Sequence, residues 1–282
     1  MDAPLPTSNR AVVWAGARKL EIQQRPVVPP SDTEVLVEIV ATGICGSDCH
    51  NWESDKVSRQ LVLGHESSGV IIKVGKDVKD RTVGQRVAVE PGFACMDGCG
   101  PLGLLILAVA KAYGLKKIVM FDIEESRTKF AESYGADVGI VTPKNSDPSK
   151  DSLTFSQEYA KEIVDKYELG QGFDVTVEAS GAEICAQMAI CMLKSGGTCI
   201  QAGLGKPLTS VPLFLLTARE LNIKGTVRYT PGCFADAISL LARKKVDLRP
   251  LITSTYPLTE AGKAFEAQHA RKDIKIVIMN QK

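Results

Sequence analysis

The hydrophobic pattern of this 282-residue chain changes period near residue 98, and that change limits the fold more than any other feature. Before it, the apolar residues fall in short β-type runs: Ala11–Trp14, Lys19–Ile22, Glu34–Val40, Gly69–Gly75 and Gly84–Val89. Glu34–Val40 alternates apolar and acidic residues, which puts one strand face inward and the other outward. Closely spaced strands punctuated by Gly and Pro predict a small β-barrel or sandwich. After residue 98, helical and strand periods alternate. Leu102–Tyr113 reads as a buried helix, and residues 117–121 as a strand ending at Asp122. Glu124–Tyr134 reads as a helix stopped by Gly135, and Phe155–Tyr167 as an amphipathic helix leading to a strand at Phe173–Glu178. A helix at Ala182–Leu193 is expected to close at Lys194-Ser195-Gly196-Gly197, before strands at Thr198–Ala202 and Leu221–Lys224 and a helix at Phe234–Ala242. This βαβ rhythm predicts an α/β fold with a parallel, doubly wound sheet. The tail reads as strand, helix, strand over 252–256, 259–268 and 274–278.

Lys and Arg number 34 against 33 Asp and Glu. That balance gives no electrostatic reason to bind nucleic acid or an anionic membrane surface. The longest apolar run, Leu102–Ala110, is shorter than the about 20 residues that span a bilayer. Met1-Asp2-Ala3-Pro4 lacks the basic and apolar regions of a secretory signal, so a cytoplasmic protein is expected. Its eight cysteines are then expected to be reduced. Cys185, Cys191 and Cys199 sit in apolar patterns and read as small core residues, whereas Cys45, Cys49, Cys95 and Cys99 sit among Gly, Asp and His.

Two constellations carry chemistry. Gly98-Cys99-Gly100-Pro101-Leu102-Gly103 opens the Leu102 helix. Glycines at that spacing permit a tight turn, let backbone approach a pyrophosphate and let helix pack on strand, while the helix N-terminus offers free N–H groups. Asp122, about 20 residues on, is where a carboxylate accepts from the adenosine ribose of NAD and repels a 2′-phosphate. The loop alone would also suit a Gly-rich turn in another α/β protein. The fingerprint should follow a buried strand, but Pro91-Gly92-Phe93-Ala94-Cys95-Met96-Asp97 precedes it. The second constellation is Cys45, in Gly43–His50, with His65-Glu66 after Gly64. Both read as Gly-flanked turns after strands. Thiolate, imidazole and carboxylate are zinc donors, and three of them leave a fourth position open for a polarised oxygen. Taken singly, His65 is as well read as a hydrogen-bonded structural histidine, and Cys45 as a small buried residue.

These residues, with Leu63–Gly69, Val83–Gly92, Glu178–Gly181, Gly203–Gly205 and Gly225–Tyr229, resemble the zinc-containing medium-chain dehydrogenases. The resemblance is to the polyol branch: sorbitol, xylitol and arabinitol dehydrogenases. It implies a GroES-like β-barrel catalytic domain (1–96 with 248–282) and a Rossmann dinucleotide-binding domain (97–247). It implies one catalytic zinc held by Cys45, His65 and Glu66, and a proton path through Ser47 and His50. It also implies NAD against Gly98, Gly100, Pro101, Leu102, Gly103, Asp122, Arg127, Gly203, Val227 and Arg228, with Arg228 also facing the substrate. The implied reaction removes a proton from a polyol secondary alcohol polarised by zinc and passes hydride to NAD, linking a polyol to a ketose. Asn51 stands where the polyol branch usually has Tyr. The chain departs further after Gly92, where about 70 residues of a two-domain enzyme are absent. With them go the four-cysteine lobe, so no structural zinc is expected, since Cys95 and Cys99 alone cannot fill a tetrahedral site. The first Rossmann strand goes too, leaving both domains incomplete around 91–98. That strand is normally central, so its loss unpairs backbone groups on both neighbours at about 1–3 kcal/mol each. Several such losses rival a domain's net stability of about 5–15 kcal/mol. Weak or absent cofactor binding is the expectation, unless Phe93–Met96 serves as a substitute strand; an impaired or inactive variant is the alternative reading. A homo-oligomer is possible, with Leu213-Phe214-Leu215-Leu216 suited equally to an interface or to core.

Overall fold

A computed structural model describes residues 5–54, 61–90, 101–147, 149–227 and 229–280. Contacts divide the chain into Met1–Cys95 with Arg249–Lys282, and Met96–Leu248.

The first unit is built from antiparallel strands. A hairpin joins β1 (Ser8–Gly16) to β2 (Lys19–Pro26), and β1 also pairs with β4 (Leu61–Val62). The larger sheet runs β12 (Ile252–Pro257), β13 (Lys275–Met279), β3 (Val35–Gly43), β5 (Glu66–Val74), β6 (Arg86–Ala88). Its neighbours are antiparallel except β12 and β13. The chain's tail thus completes the sheet begun by its first ninety residues. Two helices seal it: α1 (Gly46–Glu53) and α8 (Ala261–His269). Trp52 of α1 and Phe265 of α8 meet at 5.7 Å between ring centroids, in a core with Val12, Ile44, Ala264, Ile276 and Ile278. Helix α1 corrects the reading of Gly43–His50 as a turn. It has two turns, too few for apolar periodicity to show, and it starts because the Asp48 carboxylate reaches back to the Cys45 N–H at 3.0 Å.

The second unit alternates helices and strands: α2 (Pro101–Ala112), β7 (Val119–Asp122), α3 (Glu125–Tyr134), β8 (Val138–Val141), α4 (Ser152–Lys166), β9 (Phe173–Glu178), α5 (Glu183–Cys191), β10 (Leu193–Gln201), α6 (Leu213–Ala218), β11 (Asn222–Gly225) and α7 (Cys233–Ala242). Helix α3 stops at Gly135, whose left-handed φ of 114° turns its N–H back onto Ala131 and Glu132. Strand β10 begins earlier than expected. Lys194–Gly197, expected as a closing turn, lies inside it as an irregularity, because pairing with β9 skips from Leu193 to Thr198. Cys191 and Cys199 are buried, but Cys185 is only half-buried. In α6, Leu213 and Phe214 are exposed, while Leu215 and Leu216 pack against Ile190, Leu193 and Cys199. The apolar quartet therefore divides between surface and core. No helix among the described residues is long and apolar enough to cross a membrane.

All pairings in this unit are parallel, but the sheet is in two pieces: β7–β8 and β9–β10–β11. Among the described residues no strand pairs with the second side of β7 or of β9. Val175 and Val177 of β9 are 49% and 38% exposed, where strands of a doubly wound sheet are normally covered on both faces. Phe93–Met96 lies outside the described residues. Hydrogen–deuterium exchange should therefore find Thr198–Gln201, paired on both sides, slower than Val119–Asp122 and Val175–Glu178. Equal protection of the three strands would mean a closed sheet.

Candidate functional site

The register of the first unit brings the donor residues together. Strands β3 and β5 are antiparallel with Gly43 opposite Glu66. Cys45, two residues past that pair on one strand, and His65, just before it on the other, emerge at the same sheet end. The Cys45 Sγ, a His65 ring nitrogen and a Glu66 carboxylate oxygen lie within 4.8 Å of one another. No room is spare: a Cβ on Gly43 would collide with the Glu66 carboxylate and the Lys275 side chain.

Asp48, which sequence reasoning passed over, organises the cluster. It is 3% exposed, and a buried carboxylate must be hydrogen-bonded. One oxygen accepts from the Cys45 N–H; the other accepts from the Gly64 N–H at 3.1 Å and lies 3.3 Å from His65 Nδ1. That contact orients the imidazole with Nε2 toward the cluster, where it lies 3.5 Å from Ser47 Oγ. The Asp48 hydrogen bond also raises the His65 pKa against the opposing effect of burial. A histidine backed by a carboxylate is a usual outer-shell arrangement for a metal ligand, and its signal in sequence was only the i, i+3 relation of Asp48 to Cys45.

Lys275 was also missed. Strand β13 places it beside β3, and its ammonium contacts the Glu66 carboxylate and donates to the Ile44 carbonyl at 2.9 Å. His50 sits on the exposed side of α1, bonded to none of the described residues, so no direct link joins it to Ser47. Soft, borderline and hard donors in one reach are the set zinc takes, and they fit that ion. The expectation of reduced cysteines fails at Cys45, which is disulfide-bonded. A ligand role needs its thiolate, hence reduction.

In the second unit Pro101, Leu102 and Gly103 open α2; Gly98, Gly100 and Arg228 lie outside the described residues. Asp122 ends β7, accepts from the Glu124 N–H at 3.0 Å and stands 3.8 Å from the Arg127 guanidinium. At the C-terminal end of β9, Glu178 is buried and accepts from the Ser180 and Gly181 N–H groups and from Gln201 Nε2 at 2.5 Å. Any side chain at Gly203 would strike that carboxylate and the Gly181 backbone. Val227 is exposed.

Residues 101–243 match the family described as zinc-binding dehydrogenase, and residues 31–114 the alcohol dehydrogenase GroES-like domain. D-xylulose reductase A of Aspergillus oryzae is 32% identical over 362 aligned positions, covering 99% of each chain. A chain of 282 residues spread over 362 positions leaves at least 80 of them unfilled internally. Two solved structures share the fold: L-idonate 5-dehydrogenase from Escherichia coli (22% identity, TM-score 0.79, 96% and 98% of the two chains) and a short chain alcohol dehydrogenase of E. coli CFT073 in complex with NADH (20%, 0.82, 98% and 100%).

Replacing Asp48 tests the cluster's geometry. Asp48→Ala strands the Cys45 and Gly64 N–H groups and should destabilise the chain by about 1–3 kcal/mol for each, read from urea unfolding. Asp48→Asn should keep most of the fold but weaken zinc binding about 10–100-fold in chelator competition under reducing conditions.

Proposed function

The chain belongs to the zinc-binding, medium-chain alcohol dehydrogenases, and on that footing we propose that it oxidises a secondary alcohol of a polyol such as xylitol, sorbitol or L-arabinitol to the ketose, with NAD as acceptor. The observation that carries this reading is the convergence of Cys45, His65 and Glu66 within 4.8 Å around the Asp48 brace. Those three residues would hold zinc. When bound, zinc supplies a Lewis acid that lowers the pKa of the substrate hydroxyl, and the nicotinamide accepts the hydride.

The chain's own residues do the rest. Ser47 Oγ, beside His65, relays the hydroxyl proton by releasing its own as it accepts one, and His50, on the outer side of the same helix and not in contact with Ser47, is reached only through solvent. Asp48 keeps His65 in the tautomer with Nε2 free to donate its lone pair. Lys275 neutralises Glu66 when no cation is near. Pro101, Leu102 and Gly103, with Gly98 and Gly100, would hold the pyrophosphate, and Gly203, Val227 and Arg228 would bind the nicotinamide half. Asp122 accepts from the ribose hydroxyls and disfavours a 2′-phosphate, with Arg127 at its side, which supports NAD over NADP. The polyol reading draws on the curated relative named D-xylulose reductase. A cytoplasmic setting suits this chemistry, because a reducing compartment would open the Cys45 disulfide and free the thiolate that a ligand role requires.

The test is NADH formation from xylitol, sorbitol and L-arabinitol by reduced, zinc-loaded protein. Activity should vanish with a chelator, return with zinc and be lost in Cys45→Ser. Asp122→Ser should weaken NAD by about 10–100-fold, as loss of a charged hydrogen bond does, and erase the preference over NADP. A sample that takes up no stoichiometric zinc would end this reading. The divided sheet favours a second one, an impaired relative that binds NAD weakly. Calorimetric titration separates the two, since micromolar NAD affinity in a monodisperse sample excludes impairment of the nucleotide unit.

A further inference from the structure

Away from the metal cluster, the C-terminal end of α1 carries a second polar constellation. Arg18 sits in the β1–β2 turn with φ of 54°, a left-handed conformation uncommon for a non-glycine residue. Its N–H donates to the Trp52 carbonyl at 2.6 Å, and its guanidinium lies 5.5 Å above the Trp52 ring. One guanidinium nitrogen, Nη2, is 3.0 Å from His269 Nε2. The other ring nitrogen of His269, Nδ1, is 2.5 Å from a Glu53 carboxylate oxygen. Trp52 is buried, and the edge of its ring meets the His269 ring at 6.2 Å.

We propose that His269 is a proton-sensitive pin: neutral, it joins the β1–β2 turn to the end of α1 through Arg18 and Glu53, and protonated, it lets Arg18 go while keeping Glu53. Donor and acceptor chemistry sets this state. Arginine only donates, so His269 Nε2 holds a lone pair; an ionised carboxylate only accepts, so Nδ1 holds the hydrogen. Both bonds coexist in one species, the neutral Nδ1–H tautomer. A proton added at Nε2 sets donor against donor and cation against cation at 3.0 Å, while the bond to Glu53 becomes an ion pair. Histidine is the side chain that ordinarily changes charge between pH 5 and 8. The ring is 41% exposed, so protons reach it. The elements packed around it also carry Lys19, Glu21 and Arg25 on β2, Asp48 on α1, Lys263 and Glu266 on α8, and Arg271 and Lys272 beyond it; the hydrogen bonds to the ring come from Arg18 and Glu53. The pin acts on α1, whose opposite end bears Ser47 and Asp48, and it does not depend on the proposed activity.

The unaltered chain tests the starting state: nitrogen chemical shifts of the His269 ring at pH 8 should report the Nδ1–H tautomer, and the Nε2–H tautomer would overturn the proposal. Variants test the switch. His269→Gln keeps one acceptor and one donor but takes no proton, and Arg18→Met keeps the stem over Trp52. Arg18→Met should shift the unfolding equilibrium about fivefold at pH 8, the effect of one hydrogen bond of about 1 kcal/mol, and less than about twofold at pH 5.5. In the His269→Gln background the shift should be equal at both pH values. An equal shift at both pH values with His269 in place, or a pH-dependent one in the His269→Gln background, would refute the pin.

Discussion

The buried carboxylate of Asp48 is the constraint on which the first unit's chemistry rests. Its oxygens meet the amides of Cys45 and Gly64 and the imidazole of His65, so the start of α1 and the loop before β5 are tied at one carboxylate. A carboxylate removed from water is tolerated only with such partners, and the partners in turn lose their positions without it. The start of α1, the close approach of the loop before β5 and the direction of the His65 ring are therefore one structural fact. Glu66 and Lys275 form the other half of the cluster, a charged pair supplied by the antiparallel neighbours β5 and β13 on either side of β3.

Much of this was legible in the sequence, for identifiable reasons. The β and βαβ textures separate the two units because period-2 and period-3.6 patterns are strong over ten or more residues. Gly135 marks a helix end because only a left-handed residue turns the chain there. Cys45, His65 and Glu66 were found by residue type, since few other pairings of thiol, imidazole and carboxylate have a reason to stand in glycine-flanked phrases. What escaped was what depends on tertiary approach. Asp48 looks like any polar residue in a short segment until its burial is known. Lys275 is joined to Glu66 only by the pairing of β13 with β3. Helix α1 is stabilised by its cap and by Trp52 packing on Phe265, neither of which has a periodic signature.

The second unit shows local sequence choices outlasting the global arrangement they served. The Asp151 cap of α4, the Gly135 stop of α3 and the Glu178–Gln201 tie between β9 and β10 are in place. Each depends on residues close in sequence or on neighbouring strands that are both present. The interval between β7 and β9 is different, because no strand among the described residues fills it, whereas a doubly wound sheet is continuous there.

That interval has a colloidal consequence. A parallel sheet normally keeps its open edges to the two outermost strands, whereas among the described residues this one presents four, on β8, β7, β9 and β11. Each is a row of amide and carbonyl groups able to template an extended segment of a neighbouring molecule, and natural proteins blunt such rows with charge, bulges or covering loops. Asp174 on β9, paired with Lys194, and Lys224 on β11 are exposed charges on two of these strands. Edge-to-edge association of this kind joins two molecules, so its extent rises with protein concentration.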